Sequence, residues 1–187
     1  MKSEWAIWRK ALSIEECDSI IERCKTLDKQ IAGVGGKIGS GGGINDKIRR
    51  SEVKWMDEKC GFKDVFQKVW DLTIKVNKKY FEFHIDTLNV MQFTEYCESY
   101  KGEYKRHQDI FWKCEKHRKL SMVLQLTDPS DYEGGKLMLD CQERKPENYF
   151  QKGTCIWFPA TTYHWVTPVT KGLRNSVVCW FEGPHWR

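Results

Sequence analysis

Two short stretches of the chain each contain a histidine and an aspartate separated by one residue. His84 and Asp86 lie in FEFHID, and His107 and Asp109 lie in YKRHQD. Imidazole nitrogen and carboxylate oxygen are both ligands of Fe(II), and residues i and i+2 of a strand face the same side. Either pair therefore predicts two ligands of one metal ion, provided that another strand supplies a third ligand.

We predict His164 as the third ligand, together with His107 and Asp109. Two histidines and one carboxylate form a facial set that leaves coordination positions open for oxygen chemistry. Pro168 and the turn TKG predict a hairpin that returns Arg174 close to His164. Arg174 is then placed to hold a carboxylate through two hydrogen bonds, and Ser176 on the same strand face adds another.

The first pair lacks this context. Aromatic residues crowd the segment around His84, and we interpret His84 as a strand residue that binds no metal. His117 is interpreted as the tip of a hairpin.

The composition predicts one folded domain. The chain has 187 residues, of which 40% are hydrophobic and 13% aromatic, and this excludes a disordered chain. Its apolar runs are too short for a bilayer and no secretory signal is evident, so we expect a soluble, cytoplasmic protein without a membrane partner. Eight cysteines without a CxxC spacing predict reduced, packed thiols.

The net charge of +5 is mild and does not indicate a nucleic-acid partner. The excess is uneven, because residues 101–119 are rich in lysine and arginine. Two interpretations stay open for this segment: a solvated hairpin, or a positive rim that attracts an anionic substrate.

Two amphipathic helices are predicted in the first half of the chain. Residues 13–27 begin with the capping box Ser13–Glu16, and residues 62–80 form the second helix. The apolar stripe of the second helix, which we expect to lie on a sheet, comprises Phe62, Val65, Phe66, Val69, Trp70, Ile74 and Val76. The glycine-rich segment between the helices is either a linker or a mobile lid.

From about residue 80 the pattern changes to short strands. The predicted strands are FEFHI, LNVMQFTEY, EYKRHQDIF, LSMVLQLT, GKLMLD, TCIWFPA, YHWVTPV and LRNSVVCWF. The turn signals SYKG, DPSDYEGG, QERKPEN and TKG separate several of them. Short strands with such turns are typical of a sandwich or a jelly roll.

The second half of the chain resembles the 2-oxoglutarate/Fe(II)-dependent dioxygenases, and among them the prolyl 4-hydroxylase-like branch with its short single-domain bacterial and phage members. The segments that carry the resemblance are QFTEY, GEYKRHQD, LSMVLQLTDPSDYEGGKL and GTCIWFPATTYHWVTPVTKGLRNSVVCWF. The upstream segment RRSEVKW is also similar to the Arg-x-Ser stretch of the family.

The resemblance implies an α+β, mainly β fold. The expected fold is a double-stranded β-helix (jelly roll) with N-terminal helices packed on the major sheet. Residues 1–187 are expected to form a single domain, in which residues 1–80 give helical support and residues 81–183 form the jelly-roll core. The glycine-rich lid is expected at about residues 33–50.

The resemblance also implies roles for individual residues. The implied residues are His107, Asp109 and His164 for iron, Arg174, Ser176 and Tyr96 for 2-oxoglutarate, and Tyr104, Trp180 and either Arg49 or Arg50 for the substrate, with Arg50 taken as the candidate. Gln125, a polar residue within LSMVLQL, is expected either to meet the co-substrate carboxylate or to satisfy a buried backbone group. The implied cofactors are Fe(II), 2-oxoglutarate and O2, and ascorbate is compatible with them.

The implied activity is hydroxylation of a peptidyl proline, with oxidative decarboxylation of 2-oxoglutarate to succinate and CO2. A protein or peptide that contains proline is then the expected partner. Two alternatives stay open. One is a nucleic-acid or small-molecule hydroxylase or demethylase of the same superfamily, and the other is a jelly-roll binding module without catalysis.

Overall fold

The computed structural model describes residues 1–34, 43–141 and 149–186. Within these residues the chain forms helices α1 (Ile14–Cys24) and α2 (Lys63–Val76) and twelve strands. The strands are β1 (Ala6–Trp8), β2 (Gln30–Ile31), β3 (Arg49–Arg50), β4 (Glu52–Met56), β5 (Met91–Cys97), β6 (Glu103–His107), β7 (His117–Gln125), β8 (Tyr132–Gly134), β9 (Leu137–Leu139), β10 (Cys155–Pro159), β11 (His164–Val166) and β12 (Val169–Gly183). Part of the predicted lid, residues 35–42, lies outside the described residues.

The strands form two antiparallel sheets. The larger sheet has the order β1-β10-β7-β12-β5-β4-β2, with β8 paired to β12, and the smaller sheet has the order β3-β6-β11-β9. β12 pairs with β5 on one side and with β7 on the other. This architecture of many strands and few helices agrees with the predicted α+β, mainly β class.

Residues that alternate along each strand of the large sheet serve two different cores. Leu120, Met122 and Leu124 of β7 pack in one core with buried residues of α1 and α2. Val123, on the opposite face, packs in a second core with Leu139 of the small sheet. Since successive side chains of a strand point to opposite faces, the helices cover the outer face of the large sheet. The inner face is left for the space between the sheets.

The start of α1 confirms the predicted capping box. The Ser13 hydroxyl accepts a hydrogen bond from the backbone N–H of Glu16 at 3.2 Å, and the Glu16 carboxylate accepts one from the N–H of Ser13 at 2.8 Å. These two bonds satisfy backbone donors that have no partner within the helix.

The buried face of α2 differs from the prediction at one position. Ile74 is 39% exposed, whereas its neighbour Thr73 is fully buried. The Thr73 hydroxyl accepts a hydrogen bond from the indole of Trp157 at 2.9 Å and donates one to the carbonyl of Val69 at 2.8 Å. Because a partner from the sheet satisfies the hydroxyl, the polar residue takes the inward position that the apolar pattern assigned to Ile74.

The predicted strand FEFHI is wrong. Phe81 ends a helical turn (Asn77–Phe81), and Glu82 has a left-handed backbone with φ of 58°. The Asn77 side chain donates to the carbonyl of Phe83 at 2.8 Å and accepts from its N–H at 3.0 Å. These local bonds occupy the backbone groups of Phe83 and prevent strand pairing there, despite the favourable alternation of aromatic residues.

His117 is also placed differently from the prediction of a hairpin tip. It is the buried first residue of β7, and its Nδ1 accepts from the N–H of Trp186 at 3.1 Å. The eight cysteines are free thiols, as predicted, and Cys17, Cys24, Cys155 and Cys179 are buried. In the described parts of the chain, neither helix is long and apolar enough to cross a membrane.

Candidate active site

The small sheet places two histidines side by side. His107 ends β6 and His164 begins β11, and the two residues are direct partners in the register of these antiparallel strands. The centroids of their imidazole rings are 4.2 Å apart. Pairing across the sheet, and not closeness along the chain, therefore brings the two rings together.

Both imidazoles have the tautomer that a metal ligand needs. Nδ1 of His107 is hydrogen-bonded to the carbonyl of Lys105 at 2.8 Å, and Nδ1 of His164 to the carbonyl of Thr162 at 3.0 Å. A carbonyl oxygen only accepts, so each Nδ1 carries the proton and each Nε2 keeps a free lone pair. Burial also lowers the pKa of His164, which favours its neutral form.

The carboxylate of Asp109 faces both Nε2 atoms, but for a reason that differs from the prediction. β6 ends at His107, so strand alternation does not orient Asp109. Instead, the N–H of Asp109 donates to the carbonyl of Ala160 at 2.9 Å, and the Ser121 hydroxyl donates to Oδ2 at 2.7 Å. The Asp109 oxygens lie 3.6 Å from Nε2 of His107 and 3.4 Å from Nε2 of His164.

Asp109 is ionised although it is only 6% exposed. Burial by itself raises the pKa of Asp109. The neighbouring His164, His107 and Arg118 lower it by a larger amount, so the pKa of Asp109 lies well below its usual range. A carboxylate and the Nε2 atoms of two imidazoles thus meet at one point, and these groups make up the donor set that Fe(II) takes in a facial triad.

His107, Asp109 and His164 form a cluster whose potential ligand atoms all lie within 4.8 Å of one another. Among the described residues, no other group of three or more His, Cys, Asp or Glu side chains is compact enough to hold a metal ion. The other His-x-Asp pair lies outside it: His84 is exposed, and Asp86 forms an ion pair with Lys116 at 2.7 Å.

Arg174 lies on the large sheet, across the interior from the histidines. The hairpin predicted to connect His164 with Arg174 is wrong, because β11 belongs to the small sheet and β12 to the large one. Gly172, within the predicted turn TKG, pairs with Tyr132 of β8 instead. The chain crosses between the sheets after β11, and this crossing places Arg174 and His164 on the walls of one cavity.

The guanidinium of Arg174 is buried and incompletely paired. The residue is 1% exposed, and its Nη2 donates to Oε1 of Gln125 at 2.9 Å. Nε and Nη1 are buried, and no residue that the structure describes forms a hydrogen bond with them. A buried guanidinium with two free donors is costly by itself, and a carboxylate is the group that satisfies both donors at once.

A cavity of about 220 Å³ connects the histidine cluster with Arg174. Four more of the residues singled out from the sequence line it, namely Tyr96, Tyr104, Ser176 and Trp180. Tyr104 stacks on His107 with a centroid distance of 3.5 Å. Burial raises the pKa of Tyr104 to about 12, so its hydroxyl stays protonated.

Two of the predicted site residues do not line the cavity. Gln125 lies behind Arg174, and its amide oxygen accepts a hydrogen bond from the guanidinium and orients it. Arg50 forms an ion pair with Glu103 at 2.5 Å and donates to the carbonyl of Tyr100 at 2.9 Å. Its neighbour Arg49 lines the cavity instead, because it lies on the same face as Ser51, to which its Nε donates at 2.8 Å.

Sequence reasoning missed two residues with clear positions in the site. Ser121 orients Asp109, and Arg118 lies over the ring of Trp180 with its Cζ 4.0 Å from the ring centroid. Alternation in LSMVLQL was a usable signal for Ser121, since it places this hydroxyl on the inner face with Val123. For Arg118 the sequence offered only one charge within a basic segment.

A family model described as the 2OG-Fe(II) oxygenase superfamily matches residues 91–182, which contain the histidine cluster and Arg174. Residues 91–182 of this chain thus belong to the 2OG-Fe(II) oxygenase superfamily. Its relatives include a PKHD-type hydroxylase of a Synechococcus species, 34% identical over 90 residues, and one of Colwellia psychrerythraea, 40% identical over 63 residues. The matches cover 46% and 34% of this chain but only 40% and 28% of those proteins.

Solved structures of prolyl hydroxylases share the fold over nearly the whole chain. A viral collagen prolyl hydroxylase of Paramecium Bursaria Chlorella virus-1, in its 2OG complex, superposes with a TM-score of 0.71 at 21% identity and covers 97% of both chains. A Pseudomonas putida prolyl-4-hydroxylase gives a TM-score of 0.69 at 20% identity and covers 98% of this chain and 94% of its own. The predicted jelly-roll fold is thereby confirmed.

The residues present fit the cofactors of the 2OG-Fe(II) oxygenase superfamily, which are Fe(II), 2-oxoglutarate and O2. The two free Nε2 lone pairs and the Asp109 carboxylate are suited to Fe(II). The unpaired Nε and Nη1 of Arg174 are suited to a carboxylate of 2-oxoglutarate. The donor set and the buried unpaired guanidinium are independent observations, and they fit the two halves of one cofactor pair.

Ser121→Ala is expected to weaken metal binding by about 10–100-fold, which is typical when a group that orients a ligand is removed. The substitution deletes the hydroxyl that donates to Oδ2 of Asp109 and leaves the three ligands in place. Anaerobic calorimetry with Fe(II), or with Mn(II) as a redox-stable substitute, measures the effect. Ser130→Ala, at an exposed serine, is the control, and equal affinities of the two variants would contradict the role of Ser121.

Proposed function

We propose that this protein is an Fe(II)- and 2-oxoglutarate-dependent hydroxylase of a peptidyl proline. His107, Asp109 and His164 hold the metal ion, and Arg174 holds the distal carboxylate of 2-oxoglutarate with help from the Ser176 hydroxyl. When bound, Fe(II) with 2-oxoglutarate and O2 supplies oxidation of a substrate C–H bond, with release of succinate and CO2.

The observation that carries this proposal is the presence of two sets of groups in one cavity. Three potential metal ligands converge on one point, and the buried guanidinium of Arg174, which lines the same cavity, has two donors without an acceptor among the described residues. A dicarboxylate such as 2-oxoglutarate, together with a metal ion, would satisfy both sets. A jelly-roll binding module without catalysis does not require a metal-ligand cluster and a buried guanidinium in the same cavity.

The chain's own groups prepare the reaction. Thr162 and Lys105 fix the imidazole tautomers through their carbonyls, and Ser121 fixes the rotation of the Asp109 carboxylate. Gln125 orients Arg174 from behind. Because these partners are backbone groups or buried side chains, the ligands are held before any cofactor binds, and little ordering is required on binding.

The cavity supports a peptide substrate with a small apolar side chain. Val178 and Trp180 line it from β12, Trp55 from β4 and Phe111 from the segment after Asp109. Trp55 and Trp180 pack at a centroid distance of 6.4 Å. Aromatic walls of this kind accept a saturated ring such as that of proline. The titles of similar structures name prolyl hydroxylases, one of them from Trichoplax adhaerens in complex with a peptide fragment of a hypoxia inducible factor domain.

A peptide-library screen for a mass gain of one oxygen atom tests the proposed function. Peptides with and without proline are incubated with the protein, Fe(II) and O2, and with or without 2-oxoglutarate. We expect a gain in proline-containing peptides that requires 2-oxoglutarate and is accompanied by an equal amount of succinate. If succinate forms but no peptide gains oxygen, proline is not the substrate. If no succinate forms with any peptide, the protein is not a 2-oxoglutarate-dependent enzyme.

A further inference from the structure

Two guanidinium groups besides that of Arg174 line the cavity. Arg49 lies on β3 and Arg118 on β7, so they reach the cavity from opposite sheets. Their exposed fractions are 7% and 8%. Buried arginines are uncommon unless they are paired, so the partners of these two need to be identified.

Arg118 is fixed in orientation but poorly paired. Its Cζ lies 4.0 Å from the ring centroid of Trp180 and 4.7 Å from that of Phe111. Its hydrogen bond to the carbonyl of Asp109 is long, at 3.4 Å. The nearest carboxylate is Glu182, with Oε1 4.0 Å from Nε, which is beyond hydrogen-bond distance. The two rings hold the guanidinium in place while its charge is only partly balanced.

Arg49 has neutral partners only. Nε donates to the Ser51 hydroxyl at 2.8 Å, and Nη1 makes a long contact of 3.5 Å with the carbonyl of Gly33. Its Cζ lies 4.5 Å from the ring centroid of Tyr104. Among the residues that the structure describes, no carboxylate forms an ion pair with Arg49.

Tyr104 lies in the same space as the two arginines. Its ring centroid is 4.5 Å from Cζ of Arg49, and it lines the cavity together with Arg49 and Arg118. Its hydroxyl is a third hydrogen-bond donor beside the two guanidinium groups. An acceptor with negative charge is the group that suits such a set of donors.

The charges of the whole cavity are not balanced by its own residues or by the cofactors. Among the described lining residues, Arg49, Arg118 and Arg174 face a single carboxylate, that of Asp109. Fe(II) and the dianion of 2-oxoglutarate cancel each other, Arg174 cancels Asp109, and Glu182, outside the lining, partly offsets Arg118 at 4.0 Å. The charge of Arg49 and part of the charge of Arg118 stay in a buried space, where an unbalanced charge is costly.

We propose that Arg49, Arg118 and the Tyr104 hydroxyl form a subsite for an acidic side chain, so that the preferred substrate is a proline with Asp or Glu close to it in the sequence. This inference rests on the proposed peptidyl substrate and specifies its class.

The interior pair, and not the surface, carries this selectivity. Three of the basic residues in the positive rim at residues 101–119 are paired with carboxylates in the structure. Lys105 pairs with Glu103 at 2.7 Å and Lys116 with Asp86 at 2.7 Å, and Arg106 pairs with Asp140. Exposed pairs of this kind leave little net field for attracting a substrate.

Direct binding of matched peptides tests the subsite without requiring hydroxylation. Each blocked peptide contains one proline and one Asp at one of the two positions on either side of it, and its control has Asn at that position. Affinities are measured anaerobically with Fe(II) and 2-oxoglutarate present. We expect at least one Asp peptide to bind about tenfold more tightly than its Asn control, the size expected for one charge-assisted contact. Differences below threefold at every position would overturn the proposal.

Variants of the two arginines locate the effect. Arg118→Gln and Arg49→Gln are each expected to reduce the Asp preference to about twofold or less, whereas Arg118→Lys keeps part of it because the charge remains. Lys113→Gln, which removes an exposed charge from the same basic segment, is the matched control and keeps the full preference. Loss of the preference in Lys113→Gln alone would overturn the proposal in favour of the rim. If Arg118→Gln does not fold, the Asp preference of Arg49→Gln tests the subsite by itself.

The outcomes separate this inference from the proposed function. Tight binding of an Asp peptide that gains no oxygen supports the subsite and rejects proline hydroxylation. Oxidised proline with equal affinities for Asp and Asn peptides supports the function and rejects the subsite. Displacement of the Asp peptide by a single-stranded oligonucleotide, with a steep dependence on salt, would reject the acidic peptide in favour of phosphate recognition.

Discussion

Asp109→Ala protein is expected to lose turnover of 2-oxoglutarate by more than about 100-fold, since even residues that only orient a metal ligand are worth about 10–100-fold. The substitution removes the one carboxylate of the ligand cluster and leaves the two imidazoles. It also leaves the Ser121 hydroxyl, which is fully buried, without its acceptor. Succinate production by purified protein, measured with a proline-containing peptide pool, gives the result.

Asp86→Ala is the matched control for this experiment. It makes the same substitution in the other His-x-Asp pair, where the carboxylate is near the surface and binds Lys116 and the Thr87 hydroxyl. We expect turnover within about twofold of the unmodified protein, because surface ion pairs contribute little. Full turnover in Asp109→Ala, or equal losses in both variants, would refute the assignment of the metal site.

Arg174→Gln is expected to raise the KM for 2-oxoglutarate by at least about 100-fold. Nε and Nη1 of Arg174 are buried donors without a partner among the described residues, and two charge-assisted hydrogen bonds are worth about 3 kcal/mol or more together. This energy corresponds to about two powers of ten in affinity. Initial rates of succinate formation at increasing 2-oxoglutarate concentrations measure the change.

Arg174→Lys should lie between the two proteins, because an ammonium supplies charge without the planar pair of donors. Metal affinity is the internal control, since Arg174 is not part of the ligand cluster. We expect Fe(II) or Mn(II) to bind all three proteins equally in the absence of 2-oxoglutarate. An unchanged KM in Arg174→Gln, with metal binding intact, would show that the co-substrate carboxylate lies elsewhere.

The ligand cluster could be predicted from the sequence because its members carry their own chemical signal. His107, Asp109 and His164 combine rare residue types with a short spacing and a resemblance to a known family. The reason given for Asp109 was nevertheless incomplete. β6 ends before this residue, and its position depends on the carbonyl of Ala160 and on Ser121, neither of which the local pattern contains.

The path from His164 to Arg174 could not be predicted from turn signals. A proline and a glycine near each other favour a hairpin, but they do not specify which strand receives the next segment. Here Gly172 pairs with Tyr132 of β8, and β12 continues between β5 and β7. The pairing of strands that are distant in the chain is decided by packing of the whole sandwich, which a local window does not include.

The roles of Gln125 and Arg50 depended on the same missing information. A polar residue on an inner strand face needs a partner, and the sequence offered the co-substrate or the backbone as candidates. The register that pairs Ser176 with Gln125 places its amide beside Arg174 instead. Likewise, the pairing of Arg50 with Glu103 across β3 and β6 turns its guanidinium away from the cavity and leaves Arg49 facing it.

The position of the ligand cluster and of Arg174 on different sheets has a mechanical consequence. A molecule held by both walls acts as a strut whose length is set by its own covalent bonds. The separation of the two walls must therefore match that length, and core residues such as Ile156 and Leu139, which do not line the cavity, act as spacers. A change in the volume of these residues would alter the distance between the two walls. It would therefore lower the affinity for the bound molecule without removing any of its contacts.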